Sequence, residues 1–317
     1  MSTNLVTVRD LTVTYSDEHS AAVRDVSLNV GRGEFHGLVG ESGSGKSTIA
    51  RTLLGLTDRG GRIIRGSIMV DNLELLSLSN RRLRRVRGNK VSYIGQNPFG
   101  ALHPVLNVER HFELMRRAHK GMLTRAQARA RAITLLGQVG IHQPEAIMRS
   151  YVHQLSGGMA QRVVIALAMF LEPDLIVADE PTTGLDVTIQ RQTLDLLTEQ
   201  ARARGAGLLL ITHDLGVVAQ YCDTMTVLYG GRVMETGPVI NVLTDPQHPY
   251  TQTLITSVPV PGVPLTIRPA GTHAVLDEGC PFRERCQLAQ AVCATTPPTV
   301  EVAPQWRSYC HMTPRQS

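Results

Sequence analysis

Aromatic residues are scarce. They make up 4% of the 317 residues, and Trp306 is the single tryptophan. That leaves no evident platform for stacking the bases of a single-stranded nucleic acid. Long apolar runs are missing as well. The longest, Val163 to Leu171, has nine residues, about half of the roughly 18 that cross a bilayer. Any membrane process served by this chain therefore needs another chain to cross the membrane. The first 20 residues hold no basic stretch followed by an apolar core, so no leader is expected. Neither sign of charge dominates: 32 Lys and Arg face 27 Asp and Glu, a net charge of +5. This mild excess permits an anionic partner and selects none. No segment repeats, which predicts one unit of its kind and not a tandem pair.

What is present reads as a globular α/β chain, with 42% apolar and 19% charged residues. Up to about residue 240, short apolar runs alternate with helical stretches. Residues 5–15, 23–30, 35–39, 91–94, 175–178 and 208–211 read as strands. Residues 46–56, 124–139, 156–170 and 187–204 read as helices. The basic run Arg81 to Arg87 is expected on a solvated helical face or an edge facing anionic lipid. After Gly237 prolines accumulate, at 238, 246, 249, 259, 261, 264 and 269, and four of the five cysteines follow. The expected division is a first domain over 1–240, with a helical subdomain near 97–170, and a loop-rich extension over 241–317.

The sharpest motif is Gly40-Glu41-Ser42-Gly43-Ser44-Gly45-Lys46-Ser47-Thr48, a G-x-x-x-x-G-K-[ST] loop between a predicted strand and a predicted helix. A triphosphate must exchange its hydration for protein groups. Glycines let backbone N–H groups converge on its oxygens, and the following helix adds its N-terminal dipole. Lys46 supplies a charge for the β- and γ-phosphates, and the Ser47 hydroxyl is placed to ligate Mg²⁺. A second half follows at Leu175-Ile176-Val177-Ala178-Asp179-Glu180. An apolar strand ending in acids points carboxylates at the sheet edge where ligands bind. Asp179 is read as a holder of the Mg²⁺ shell, and Glu180 as the group that polarises an attacking water.

Leu155-Ser156-Gly157-Gly158-Met159-Ala160-Gln161-Arg162 resembles the signature of ATP-binding cassette (ABC) ATPases. Ser156 is a natural helix cap, and Gly157 and Gly158 expose N–H groups at the helix start, which makes a second anion site. The resemblance implies a P-loop NTPase with a RecA-like core, an antiparallel β subdomain and a helical signature subdomain. It implies ATP and Mg²⁺ as ligands, and two such domains packed head to tail. Each ATP would lie between one phosphate loop and the partner's Ser156 and Gly158. By the same resemblance Gln96 is similar to the Q-loop glutamine that touches Mg²⁺ and water and faces the membrane subunit. His213 resembles the switch histidine at the γ-phosphate, and Asp186 the D-loop acid. Tyr15 stands where the family stacks a ring on adenine. Asp186 also reads as a helix cap, and Cys222 as a buried structural thiol.

Asp245-Pro246-Gln247-His248-Pro249-Tyr250-Thr251 is similar to the His-Pro-Tyr element of ATPases from oligopeptide, dipeptide and nickel importers. Two departures are Gly95, where that branch has a larger apolar or aromatic residue, and His103, where it has Asn. The resemblance implies an ATPase subunit at the cytoplasmic face of the membrane. Its partners would be a second, different ATPase chain, two membrane permease subunits and, indirectly, an extracytoplasmic solute-binding protein, with no nucleic acid. The cargo stays open among peptide, nickel chelate, opine and sugar oligomer. A soluble ABC-type ATPase, such as an accessory subunit in phosphonate degradation, is the alternative. Cys280, Cys286, Cys293 and Cys310 are expected to staple the extension through a metal. A [4Fe–4S] cluster, carried by some ATPases of the resembled branch, comes first; zinc and unliganded thiols are the other readings.

Overall fold

Val6 and Val8, then Leu11 and Val13, are all fully buried along the first strand, Asn4–Thr14. Even positions give way to odd ones, which a regular strand forbids. The pairing with Ala21–Gly31 is irregular between Val8 and Leu11, and Asp10 there takes a left-handed φ of 48°. The extra residue of a bulge swaps the buried parity. Asp25 does the same on the partner strand, at φ 51°. Two hydroxyl contacts hold the pair: Asp10 N–H donates to Ser27 Oγ at 2.9 Å, and Asp25 N–H to Thr12 Oγ1 at 3.2 Å.

The computed structural model describes residues 4–15, 21–58, 60–119, 121–184, 186–257 and 278–313. The chain falls into two compact units, Met1–Leu76 with Leu210–Ser317, and Ser77–Leu209. In the first unit, an antiparallel sheet runs in the order Ala21–Gly31, Asn4–Thr14, Arg62–Val70, Leu73–Glu74. A second set of strands runs Val300–Ala303, Trp306–Ser308, Arg232–Pro238, Thr224–Tyr229, Phe35–Val39. Phe35–Val39 is buried at every position and pairs parallel with Thr224–Tyr229, His36 opposite Thr224 and Val39 opposite Val227. The helix after it, Lys46–Thr52, is shorter than expected, because the chain turns through Gly55 at φ 61°.

The second unit holds a parallel pair, Val91–Ile94 and Leu175–Asp179, with Val91 opposite Leu175 and Ile94 opposite Ala178. Around it stand the helices Asn80–Val86, Val108–Ala118, Arg125–Gln138, Pro144–Arg149, Gly157–Met169 and Val187–Ala203. Arg125–Gln138 begins with a capping box: Thr124 Oγ1 accepts from Gln127 N–H, and Gln127 Oε1 accepts from Thr124 N–H. Each side chain satisfies a donor the helix leaves open. The basic run lies on Asn80–Val86, which buries Leu83 and Val86 and exposes Arg81, Arg82, Arg84 and Arg85. Phe112 and Phe170 meet edge to face at 5.1 Å. The strand Gly207–Thr212 spans the division between the units. Among the described residues no helix is long and apolar enough to cross a membrane.

In the extension, most of residues 278–313 lies outside helix and strand. Residues 258–277, with Pro259, Pro261, Pro264 and Pro269, lie outside the described residues. The part from 278 onward adds two strands and joins a core of the same unit, in which Phe282, Cys280, Cys293, Val302 and Trp306 pack with Tyr229, Met234 and Tyr250. Trp306–Ser308 pairs antiparallel with Arg232–Pro238, Ser308 opposite Glu235. Glu235 is fully buried and gathers the His-Pro-Tyr turn and the tail. It accepts from the N–H groups of Gln247 and His248, each at 3.0 Å, and from Trp306 Nε1 at 2.9 Å. Burial pushes its carboxyl up, and these donors oppose the rise. Cys222 is half-buried, not fully buried as expected, at the edge of the same core.

Candidate functional site

The strand Phe35–Val39 delivers the chain into the Gly40–Thr48 loop, and the loop closes around Lys46. Lys46 is 6% exposed. Its ammonium donates to the carbonyls of Gly40 and Glu41, each at 2.8 Å, and to Ser44 Oγ at 3.3 Å. Two glycines are dictated by packing and backbone shape. A Cβ on Gly40 would collide with the Leu228 carbonyl oxygen; one on Gly45, at φ 97°, would lie 2.7 Å from the Ala22 carbonyl oxygen. Gly43 differs, since a Cβ there meets nothing within 4 Å; its surroundings are open. Ser42 is exposed, Ser47 and Thr48 half-buried. Gly231 N–H donates to Ser44 O at 3.2 Å and steadies the turn. A lysine ringed by oxygens beside an open glycine is an arrangement that accepts a phosphate. Tyr15 is joined to this loop by its hydroxyl, 3.1 Å from Thr48 Oγ1.

His213 belongs to the same unit as the loop. It follows Gly207–Thr212 and is exposed. The next residue, Asp214, caps Leu215–Tyr221 by accepting from Gly216 and Val217 N–H, which fixes the backbone just beyond the histidine.

The remaining candidates belong to the other unit. Asp179 ends its strand 1% exposed and accepts from the Tyr93 hydroxyl at 3.0 Å. Tyr93, which sequence reasoning missed, stands on the neighbouring strand. Its ring also accounts for the departure at Gly95, where a Cβ would lie 3.1 Å from Tyr93 Cε1. A larger residue would press on the group that orients Asp179. Glu180 has a left-handed φ of 46°, an uncommon conformation for such a residue and one that gathers at functional sites. Thr183 Oγ1 donates to Glu180 Oε2 at 2.9 Å. Gln96 is exposed after Val91–Ile94.

Ser156 caps Gly157–Met169 by accepting from Met159 N–H at 3.3 Å. A Cβ on Gly157 would meet nothing within 4 Å, and one on Gly158 only Ile189 Cγ2 at 3.8 Å, so the helix start is open. Gln161, 1% exposed, reaches from this helix to the carbonyl of Pro181 at 2.7 Å. It ties the signature helix to the residue after Glu180. Asp186 caps Val187–Ala203 by accepting from Ile189 N–H at 3.0 Å, as expected of it.

The tail cysteines give the expected metal staple no support. Among the described residues no group of three or more His, Cys, Asp or Glu side chains is arranged to hold a metal ion. Cys280, Cys286, Cys293 and Cys310 are free. Burial pushes the Cys280 thiol up to about 11 and raises Cys286 and Cys310 as well.

The ABC transporter family profile matches residues 23–183, and that of the oligopeptide/dipeptide transporter C-terminal region matches residues 234–293. The chain is 44% identical over 282 residues to the probable D,D-dipeptide transport ATP-binding protein DdpD of Escherichia coli, covering 87% of this chain and 86% of that one. It is 41% identical over 321 residues to the oligopeptide transport ATP-binding protein OppD of Mycobacterium tuberculosis. That match covers 96% of this chain and 51% of the relative, so the chain spans about half of that relative's length. A solved dimeric ATP-binding cassette, in a post-hydrolysis state with ADP and Pi, superimposes with a TM-score of 0.65 at 28% identity, covering 74% of this chain and 98% of the other. Phosphate loop, signature helix, strand-end acids and C-terminal region all agree with one assignment: this chain belongs to the ABC transporter family of ATP-binding proteins, in the group that carries the oligopeptide/dipeptide transporter C-terminal region.

Proposed function

We propose that this chain is the ATP-hydrolysing subunit of an importer for peptides or a related small solute. The observation that carries the reading is that one chain has two places for a phosphate. One is the loop closed on Lys46, and the other is the open helix start at Ser156–Gly158. A single nucleotide needs one loop, so the second place serves a nucleotide held by another subunit. The chain then pairs head to tail with a second ATPase subunit, a different chain in this reading. At the cytoplasmic face of the membrane it drives two permease subunits supplied by an extracytoplasmic solute-binding protein.

Each residue has a part in this reading. Lys46 and the loop N–H groups offset the phosphate charge, and Tyr15 lies by the adenine. Ser47, Gln96 and Asp179 offer the oxygens that Mg²⁺ prefers, and the ion would neutralise charge on the transferred phosphoryl group. Tyr93 holds Asp179 in place. Glu180, steadied by Thr183, orients or deprotonates the attacking water, and His213 contacts the γ-phosphate. The partner's signature segment closes the site. The tail cysteines are assigned no part as metal ligands.

Assembled with two membrane-spanning subunits in vesicles, the chain should consume ATP and accumulate peptide together. ATP consumption that persists in full when the Leu155–Arg162 segment is deleted would overturn the shared-site reading.

A further inference from the structure

The phosphate loop is gripped by a part of the chain that no motif connects to it. Glu41, the second residue of the loop, is held twice by the C-terminal region. Its backbone N–H donates to the Tyr250 hydroxyl at 3.1 Å. Its carboxylate accepts from Arg285 Nη1, 2.9 Å from Oε2 and 3.2 Å from Oε1, across 244 residues of sequence.

Neither partner is a casual surface contact. Tyr250 is fully buried, its ring centroid 4.6 Å from that of Tyr229 and 5.2 Å from that of Phe282. Arg285 has a side chain 19% exposed. It also donates to the Tyr229 hydroxyl at 3.2 Å, and its guanidinium lies 5.6 Å from the Tyr229 ring centre and 5.7 Å from that of Phe282. A half-buried, charge-assisted contact of this kind is stronger and more directional than an exposed ion pair. Arg285 stands in the cysteine-bearing turn, whose Cys280 N–H donates to the Cys293 carbonyl at 2.9 Å. The guanidinium is thus anchored at its root as well as at its tip.

The loop has reason to need such a grip. Gly40, Gly43 and Gly45 all lie at positive φ, and glycine loses more freedom on ordering than any other residue. Glu41 is the one long side chain between Val39 and Lys46. Its own carbonyl and that of Gly40 accept from Lys46. A pull on Glu41 therefore acts on the oxygens that cradle the lysine meant for the phosphates.

We propose that Arg285 and Tyr250 are positioning residues for nucleotide binding, through which the C-terminal region sets the shape of the phosphate loop by way of Glu41. The proposal rests on the reading of Gly40–Thr48 as an ATP site. Binding of Mg-ATP to the full chain, measured by calorimetry, tests both and keeps them apart. If the wild-type chain does not bind Mg-ATP, the reading of the site itself fails. If it binds, Arg285→Ala should weaken the affinity about tenfold and Arg285→Lys should recover part of the loss, since Lys keeps the charge but not the fork. In a Glu41→Gln background, Arg285→Ala should add little further loss, because the carboxylate it acts through is gone. Glu41→Gln leaves the tail untouched and should alone weaken Mg-ATP binding, which keeps the question answerable if Arg285→Ala misfolds. Full affinity in Glu41→Gln, or equal losses from Arg285→Ala with and without the carboxylate, overturns the proposal.

Discussion

The loop Gly40–Thr48 is held from several sides, whereas Ser156–Gly158 is held from one. Gly231, Tyr250 and Arg285 bond to the loop, Lys46 ties it from within, and Tyr15 adds a contact at Thr48. The signature segment has the Ser156 cap and open space beyond its glycines. Both segments gather backbone N–H groups at a helix start. The chain's own groups close around one of the two helix starts and leave the other open. That asymmetry is what a subunit requires if it owns one nucleotide and assists with a neighbour's.

The comparison breaks most readily at the acid after the second strand. Glu180→Gln in the assembled ATPase pair should lower hydrolysis by about 10²–10⁴-fold while ATP binding persists, as removal of a general base does. Single-turnover hydrolysis read beside nucleotide retention checks this, and wild-type turnover in the variant would falsify the assigned role.

On the loop side, Lys46→Ala should weaken binding of Mg-ATP to the full chain by about a hundredfold, the scale of one or two lost charge-assisted bonds. Calorimetry on the isolated chain reads the loss directly.

Acid should loosen the region that grips the loop. His248 is 1% exposed, accepts from Tyr250 N–H through Nδ1 at 3.0 Å, and burial pushes its pKa from 6.5 down to about 3. Above 6.5 both folded and unfolded chains hold it neutral. As the pH falls from 6.5 toward 3, the unfolded chain takes up a proton that the folded one refuses, and stability is lost. The loss reaches about 2 kcal/mol near pH 5. Melting temperature against pH should decline more steeply in the wild type than in His248→Asn, which keeps an acceptor without the titration.

Ser156→Ala sharpens the comparison from the other side. ATP affinity of the isolated chain should stay unchanged, while hydrolysis by the assembled pair falls about tenfold, the scale of one hydrogen bond to a charged group. Equal effects on both measurements would erase the distinction between owned and shared sites. The smallest change is expected from Asp186→Ala. Loss of its cap on Ile189 N–H should lower chain stability by about 1 kcal/mol, read by denaturant unfolding.

The loop and the strand-end acids were legible because each is written in contiguous residues, and the caps Ser156 and Asp186 because each acts on an N–H three residues on. Bulges at Asp10 and Asp25 were not, since φ in the left-handed region at an aspartate leaves little mark in hydrophobic alternation. The strand Arg62–Val70 was missed because its first five residues are largely exposed and include Gly66, so it lacks a clean buried alternation. Tyr93 looked like one more apolar strand residue until its hydroxyl met Asp179. Four thiols near the end of a chain resemble a ligand set; in the structure Cys280 and Cys293 pack with Phe282 and Trp306 in one core.

The sequence by itself determined the placement of the phosphate loop, the capped signature helix and the acids at the strand end, because backbone φ, helix capping and strand alternation are short-range and each is written in contiguous residues. Only the tertiary structure decided that Arg285 and Tyr250 hold Glu41 and that Glu235 gathers the tail. Those pairings join residues as far as 244 apart, and burial of apolar surface, which carries no address in the local pattern, is what brings such residues together.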